Sequence, residues 1–214
     1  MNNKALNTYQ KNIYEQLNDD IIALSWKWQT VTNLFDSKEK VEFLNQTASS
    51  FFLACQITFT DEVVLAISRI TDSPRSAGQD NLVITRLLEA FDQTQHSEFH
   101  AELSKLIDAA MDACKPFKKH RNKRLGHNDL NIKLKYTKEP LPGIIFDEVN
   151  HAIKSLQEIL NTFSRYFFDS ETHFKVKEKA GVEALIIYLR KGVETFEKEK
   201  QEILSAHGLT SSSR

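Results

Sequence analysis

The sequence predicts an all-α fold, an antiparallel bundle of about six helices with room for one short β-hairpin. Two observations predict it. Apolar residues recur at spacings of three and four over long stretches, the period of a helix with one buried face. Only 6 Gly and 4 Pro occur in 214 residues. An all-β chain of this size needs far more of both to make its turns, whereas long helices tolerate such a composition well.

The elements follow in order. A first helix is expected over about 5–35, with the stripe Leu17, Ile21, Leu24, Trp28, Val31 and Phe35. A second is expected over about 38–70, carried by Val41, Leu44, Ala48, Phe51, Cys55, Phe59, Val63, Ile67 and Ile70. Two long helices so close in sequence pair as an antiparallel hairpin. Asp72, Ser73, Pro74 and Gly78 mark the segment 71–79 as a loop. Asp80 is placed to cap a short third helix over 81–91.

A fourth helix starts near Ser97 with the stripe Leu103, Leu106, Ala110, Cys114 and Phe117, and Pro116 must kink or interrupt it. The alternation of Leu130, Ile132, Leu134 and Tyr136 fits a strand, with 174–177 as its partner. A fifth helix spans about 145–168 on Val149, Ile153, Leu156, Leu160, Phe163 and Phe167, and a last one about 182–204 on Val182, Leu185, Ile186, Leu189, Val193 and Phe196. The whole reads as one domain over 1–214: a core of about 5–168, a C-terminal helical segment of about 178–204 and a frayed tail over 205–214.

The bulk numbers narrow the function classes. The chain is 27% charged and 41% hydrophobic, an ordinary globular balance. Its unbroken apolar runs are short, such as Phe51–Cys55, where a membrane span takes about 20 apolar residues. The opening residues Met1–Asn12 are polar and lack an apolar secretion core. A cytoplasmic protein without membrane contact is therefore expected. Cys55 and Cys114 both sit in apolar helical patterns and read as free buried thiols. His96 and His100 lack the spacing of a zinc motif, so no metal and no cofactor is expected. The adjacent acids Asp61 and Glu62 read as solvated.

Positive charge is gathered in one place. Lys115, Lys118, Lys119, Arg121, Lys123 and Arg124 follow one another with no acid among them. Over residues 113–138 nine Lys/Arg stand against Asp129 alone, a balance of +8 in a chain whose net charge is −1. Such a segment either complements a helix C-terminus or attracts phosphate. Arg121 adds a second peculiarity, because the helix-four stripe calls for an apolar residue there. A guanidinium in that place must be paired, with Asp72 or Glu62 as conceivable partners, or must line a groove. On an ideal helix Arg121 and His127 point roughly 120° apart, so they meet on one target only if the helix ends between them. Gly126 is placed to end it.

The segment Arg121-Asn122-Lys123-Arg124-Leu125-Gly126-His127 resembles the Arg-x(4–6)-His signature of the HEPN superfamily. Leu-Phe at 34–35, Ile-Ser-Arg-Ile-Thr-Asp at 67–72 and the pattern Arg-Asn-Lys…His-Asn-Asp at 121–129 are similar to its AbiU-type abortive-infection branch. The resemblance implies a HEPN-like helical domain and metal-independent RNA cleavage of phage-defence or toxin type. It implies Arg121, Asn122 and His127 as catalytic residues, with Lys118, Lys119, His120, Lys123 and Arg124 along the RNA. It implies RNA as a partner, a homodimer that brings two His127 together, and an antitoxin or regulatory protein as a further partner. His120 is the rival for the second proton-handling group. Leu125 stands where a subgroup silenced by nucleotide transfer has tyrosine, so that control is not implied. The superfamily also contains inactive members, so a catalytically inactive module that binds RNA or a protein partner is the alternative.

Overall fold

The structure, a computed structural model of the chain, describes residues 6–126, 130, 134, 141, 143–177 and 181–207. It is all-α apart from one tiny hairpin: α1 (Thr8–Phe35), α2 (Lys38–Ile70), β1 (Arg75–Ser76), β2 (Gln79–Asp80), a 3-10 helix (Ile84–Glu89), α3 (Ser97–Ala113), α4 (Lys115–His120), a π turn (Arg121–Leu125), α5 (Phe146–Phe168) and α6 (Val182–Ala206). The chain divides into two compact units, 1–29 with 58–176, and 30–57 with 177–214.

In the first unit, Asn7 opens α1 with a reciprocal cap: the Gln10 N–H donates to Asn7 Oδ1 and the Asn7 N–H to Gln10 Oε1. Leu17, Ile21 and Leu24 of α1, Val63 and Ile67 of α2, Leu103 and Ile107 of α3, and Leu156 and Leu160 of α5 are sealed from solvent. All but Ile107 are stripe positions expected from periodicity; Ile107 takes the inward place expected of Leu106, which is half-buried. Phe163 sits in an aromatic cluster, its ring 4.7 Å from Phe167, 5.3 Å from Tyr14 and 6.3 Å from Phe99. His96 belongs to the same cluster. It is 6% exposed and shares a 2.9 Å hydrogen bond with the Tyr166 hydroxyl.

Three local readings are corrected. The hairpin lies at Arg75–Asp80, taking in the end of the segment read as a loop and the residue read as a helix cap. Ala77 and Gly78 form its two-residue turn with φ of 48° and 79°, the geometry of a type I′ turn. An alanine there is strained, so Ala77→Asn is expected to raise stability by about 0.5–1 kcal/mol in a urea titration. The predicted helix over 81–91 shrinks to one 3-10 segment, because Asp80 is drawn into the hairpin and pairs with Arg86 at 2.9 Å instead of capping a helix. The strand expected over 130–136 falls largely outside the described residues. Where it is described, the Leu134 N–H donates to the Leu130 carbonyl at 2.9 Å, a four-residue spacing of helical backbone, and 174–177 is not a strand.

In the second unit, Leu34, Leu44, Phe52, Val182 and Ile186 form the core, with Phe35, Phe43 and Leu189 packed around it. Arg190 lies 4.8 Å over the Phe43 ring and pairs with Glu39 at 2.9 Å. Within α2, Ala48 leaves helical geometry at φ −150° and ψ 66°, a kink in the merged helix. By length and composition α2 is apolar enough to cross a membrane, with a stretch of mean hydropathy 1.5 of which 28% is buried. Core helices of globular proteins share that length and composition. Its C-terminal half buries Val63, Val64, Ile67 and Ile70 in the first unit.

Candidate functional site

Pro116 decides how the basic segment is presented. It sits in the first turn of α4, where a missing N–H costs no helical bond, so α3 stops at Ala113 and α4 restarts after Cys114. Cys114 and Phe117, both 0% exposed, pin α4 to the core. His120 follows on the same inward side at 5% exposure. It is therefore not available to an RNA backbone, contrary to the expectation from sequence. Lys119, Lys123 and Arg124 face outward, and Lys118 is half-buried.

After His120 the helix widens. The Gly126 N–H donates to the Arg121 carbonyl at 2.6 Å, an i to i+5 bond that closes the π turn. Single π turns are uncommon and recur at functional sites. The helical run ends at Leu125 with Gly126 as its cap, in right-handed geometry at φ −83°. What this position supplies is room. A Cβ there would stand 3.2 Å from the Arg121 carbonyl oxygen, tighter than ordinary contact.

Arg121 is held on two sides. Its Nη1 donates to Asp72 Oδ2 at 2.5 Å, and its Nε to Asn122 Oδ1 at 3.0 Å. The side chains of Arg121 and Asp72 keep 25% and 30% of their exposure, so the pair borders solvent. Asp72 lies two residues beyond the end of α2 and also accepts the Ser73 N–H at 2.9 Å. Burial pushes its carboxyl pKa upward. The Arg121 hydrogen bond, the Ser73 N–H and the charges of Arg121 and Lys118 outweigh that, so the net shift is downward.

A carboxylate with a depressed pKa contributes stability above the usual carboxyl range, near 3.9, and loses it as pH falls through the folded value. The difference in melting temperature between the wild type and Asp72→Asn is therefore expected to be constant from pH 7 to 5 and to shrink below about pH 4. A gap that persists to pH 2.5 would refute the assignment.

Acids shape the rest of the basic segment. Arg124 pairs with Asp61 at 2.6 Å, and Glu62 takes both Lys27 at 2.7 Å and Arg69 at 2.9 Å. The adjacent acids of α2 are thus anchors, not solvated charges. The Lys27 hydrogen bond leads in lowering the Glu62 pKa, against desolvation and with help from Arg69. Asp72 and Asp61 are the site residues that sequence reasoning did not commit to. The only signal was the charge at stripe position 121, which demanded a carboxylate. His127 lies outside the described residues, so its approach to Arg121 enters only as part of the proposal below.

Among the described residues no group of three metal-ligating side chains occurs. Burial drives the Cys114 thiol up to about 12, with Lys118 opposing it weakly. Cys114 is therefore expected to stay silent to a thiol reagent at pH 8 in the native protein while reacting at once in denaturant. A site with a nucleophilic cysteine would behave in the opposite way.

The sequence model of the HEPN-type AbiU2 family matches residues 10–185. This chain belongs to the AbiU2 family. No curated protein and no solved structure matches it. The matched span of this AbiU2 chain runs from α1 into the start of α6. It includes Asp72, the π turn and the whole basic segment.

Proposed function

We propose that this AbiU2 chain is an endoribonuclease of phage-defence or toxin type that cuts RNA without a metal. The observation that carries the reading is the half-buried Arg121 at a π turn, its guanidinium fixed by Asp72 and Asn122 and bordered by outward lysines. Asp72 and Asn122 engage Nη1 and Nε, and in this reading Nη2 donates to an incoming phosphate. A preoriented donor of this kind is worth most on the charge that develops in a pentacoordinate state. Lys118, Lys119, Lys123 and Arg124 hold the RNA backbone.

The reaction is a transesterification. The substrate's 2′-hydroxyl oxygen bonds to phosphorus and gives its proton to one imidazole. The bond from phosphorus to the 5′-oxygen breaks, and the leaving oxygen takes a proton from a second imidazole. The ends are a 2′,3′-cyclic phosphate and a 5′-hydroxyl. An imidazole can trade a proton near pH 7, which suits His127 to both roles. One chain has one motif histidine, and with His120 buried, a two-fold homodimer that apposes two His127 supplies the pair. The protein acts in the cytoplasm and is restrained there by an antitoxin or regulatory protein.

The second reading, an inactive module that binds RNA or a protein, draws on the Asp72 carboxylate already occupying Arg121. Incubation with structured RNA in EDTA separates the two. The nuclease reading expects cleavage that is lost in His127→Ala. RNA retained intact by both proteins at equal affinity favours the module.

A further inference from the structure

A cleft of about 310 Å³ opens in the first unit beside Asp72. Ala23 and Leu24 of α1 and Ala66 and Ile70 of α2 line it. Ala23, Ala66 and Leu82 give it apolar walls, while Asp20 and Asn81 add polar groups. The volume is at the small end for ligand pockets, enough for one nucleoside and not for a longer segment.

Two cationic clusters border this cleft. Lys27 and Arg69 line it and share the single carboxylate of Glu62. Asp72, which also lines it, carries Arg121 and feels the charge of Lys118. With Asp20 counted in the lining, four cations stand against three acids around the cleft, a net charge of +1. A nucleotide within RNA has the matching layout: a flat ring with apolar faces, flanked by two phosphates. Carboxylate and carboxamide oxygens on the rim accept the amino hydrogens that G, A and C offer and U lacks.

We infer that the cleft is a base-recognition subsite. It holds one amino-bearing nucleobase of the RNA next to the phosphate at Arg121 and favours G, A or C over U. The identity of this ligand rests on the nuclease reading above. The subsite would give the enzyme a preference at the nucleotide beside the cut.

The test is titration of the full chain with GMP, AMP, CMP, UMP and inorganic phosphate, followed calorimetrically, for the wild type, Ala66→Trp and Arg69→Ala. At least one of the amino-bearing nucleotides should bind about tenfold tighter than UMP, and inorganic phosphate should not displace it. Ala66→Trp should abolish that binding by filling the slot. Should that variant misfold, Arg69→Ala, altered at an exposed side chain, should still weaken binding about fivefold with an unchanged melting temperature. Binding matched by inorganic phosphate, by UMP, or unaltered in Arg69→Ala would overturn the subsite. Mononucleotide binding of the expected pattern in a chain that cuts no RNA would keep the subsite and sink the nuclease reading. RNA cut by a chain that binds no mononucleotide would do the reverse.

Discussion

Arg121→Ala is expected to lower the RNA cleavage rate about 10²–10³-fold, the usual loss when one donor to a developing oxyanion is removed. Arg121→Lys should recover part of that. It restores the charge but not the planar fork, and it cannot keep both the Asp72 and the Asn122 bonds. The loss should fall on the rate at saturating RNA more than on affinity, because the exposed lysines still hold the backbone. Asp72 keeps partial solvent access, so leaving it unpaired costs stability only about 1 kcal/mol. A melting curve distinguishes this local effect from unfolding. An Arg121→Ala protein that cuts RNA at the wild-type rate would remove the guanidinium from the mechanism.

Phe163→Ala is expected to destabilise the fold by about 3–5 kcal/mol. The ring is fully buried and lies against Tyr14 of α1, Phe99 of α3 and Phe167 and Phe168 of its own α5. No small displacement of any one of these helices fills the hole, because the others hold their positions. Against a typical total of about 5–15 kcal/mol this is a large share. The midpoint of urea unfolding should fall steeply with little change in its slope. Phe163→Leu, which keeps most of the volume, should cost roughly a third as much. Activity at low temperature should survive, since α4 and the π turn are pinned by Cys114 and Phe117. A shift below about 1 kcal/mol would show that the cluster is loosely packed.

The helices were legible because their buried faces are written at a fixed period. Leu17, Ile21 and Leu24, or Leu156, Leu160 and Phe163, could each be read as inward without knowing what they face. Pro116 announced its interruption through a missing N–H. The hairpin at Arg75–Asp80 was not legible, because strands of two residues have no period and Ala77 is a poor marker of a left-handed turn. The candidate site was half legible. Arg121 betrayed itself as a charge on an apolar stripe, and Asp72 could be named among its partners. The Asp61–Arg124 pair could not, because it joins residues far apart in sequence whose own surroundings look like solvent. The π turn was hidden too. Residues 121–125 form an acceptable α-helix by propensity, and only the close approach of Gly126 to the Arg121 carbonyl makes the wider turn.

The central claim is that the substrate's own 2′-hydroxyl is the nucleophile at a site made of Arg121 and His127. The most direct test is an RNA with one preferred cut, compared in EDTA with the same RNA carrying a single 2′-deoxy nucleotide on the 5′ side of that cut, the products being weighed by mass spectrometry. The expected result is a 2′,3′-cyclic phosphate fragment from the first and no cut at that position in the second. Equal cutting of both, or fragments ending in a 5′-phosphate, would contradict it.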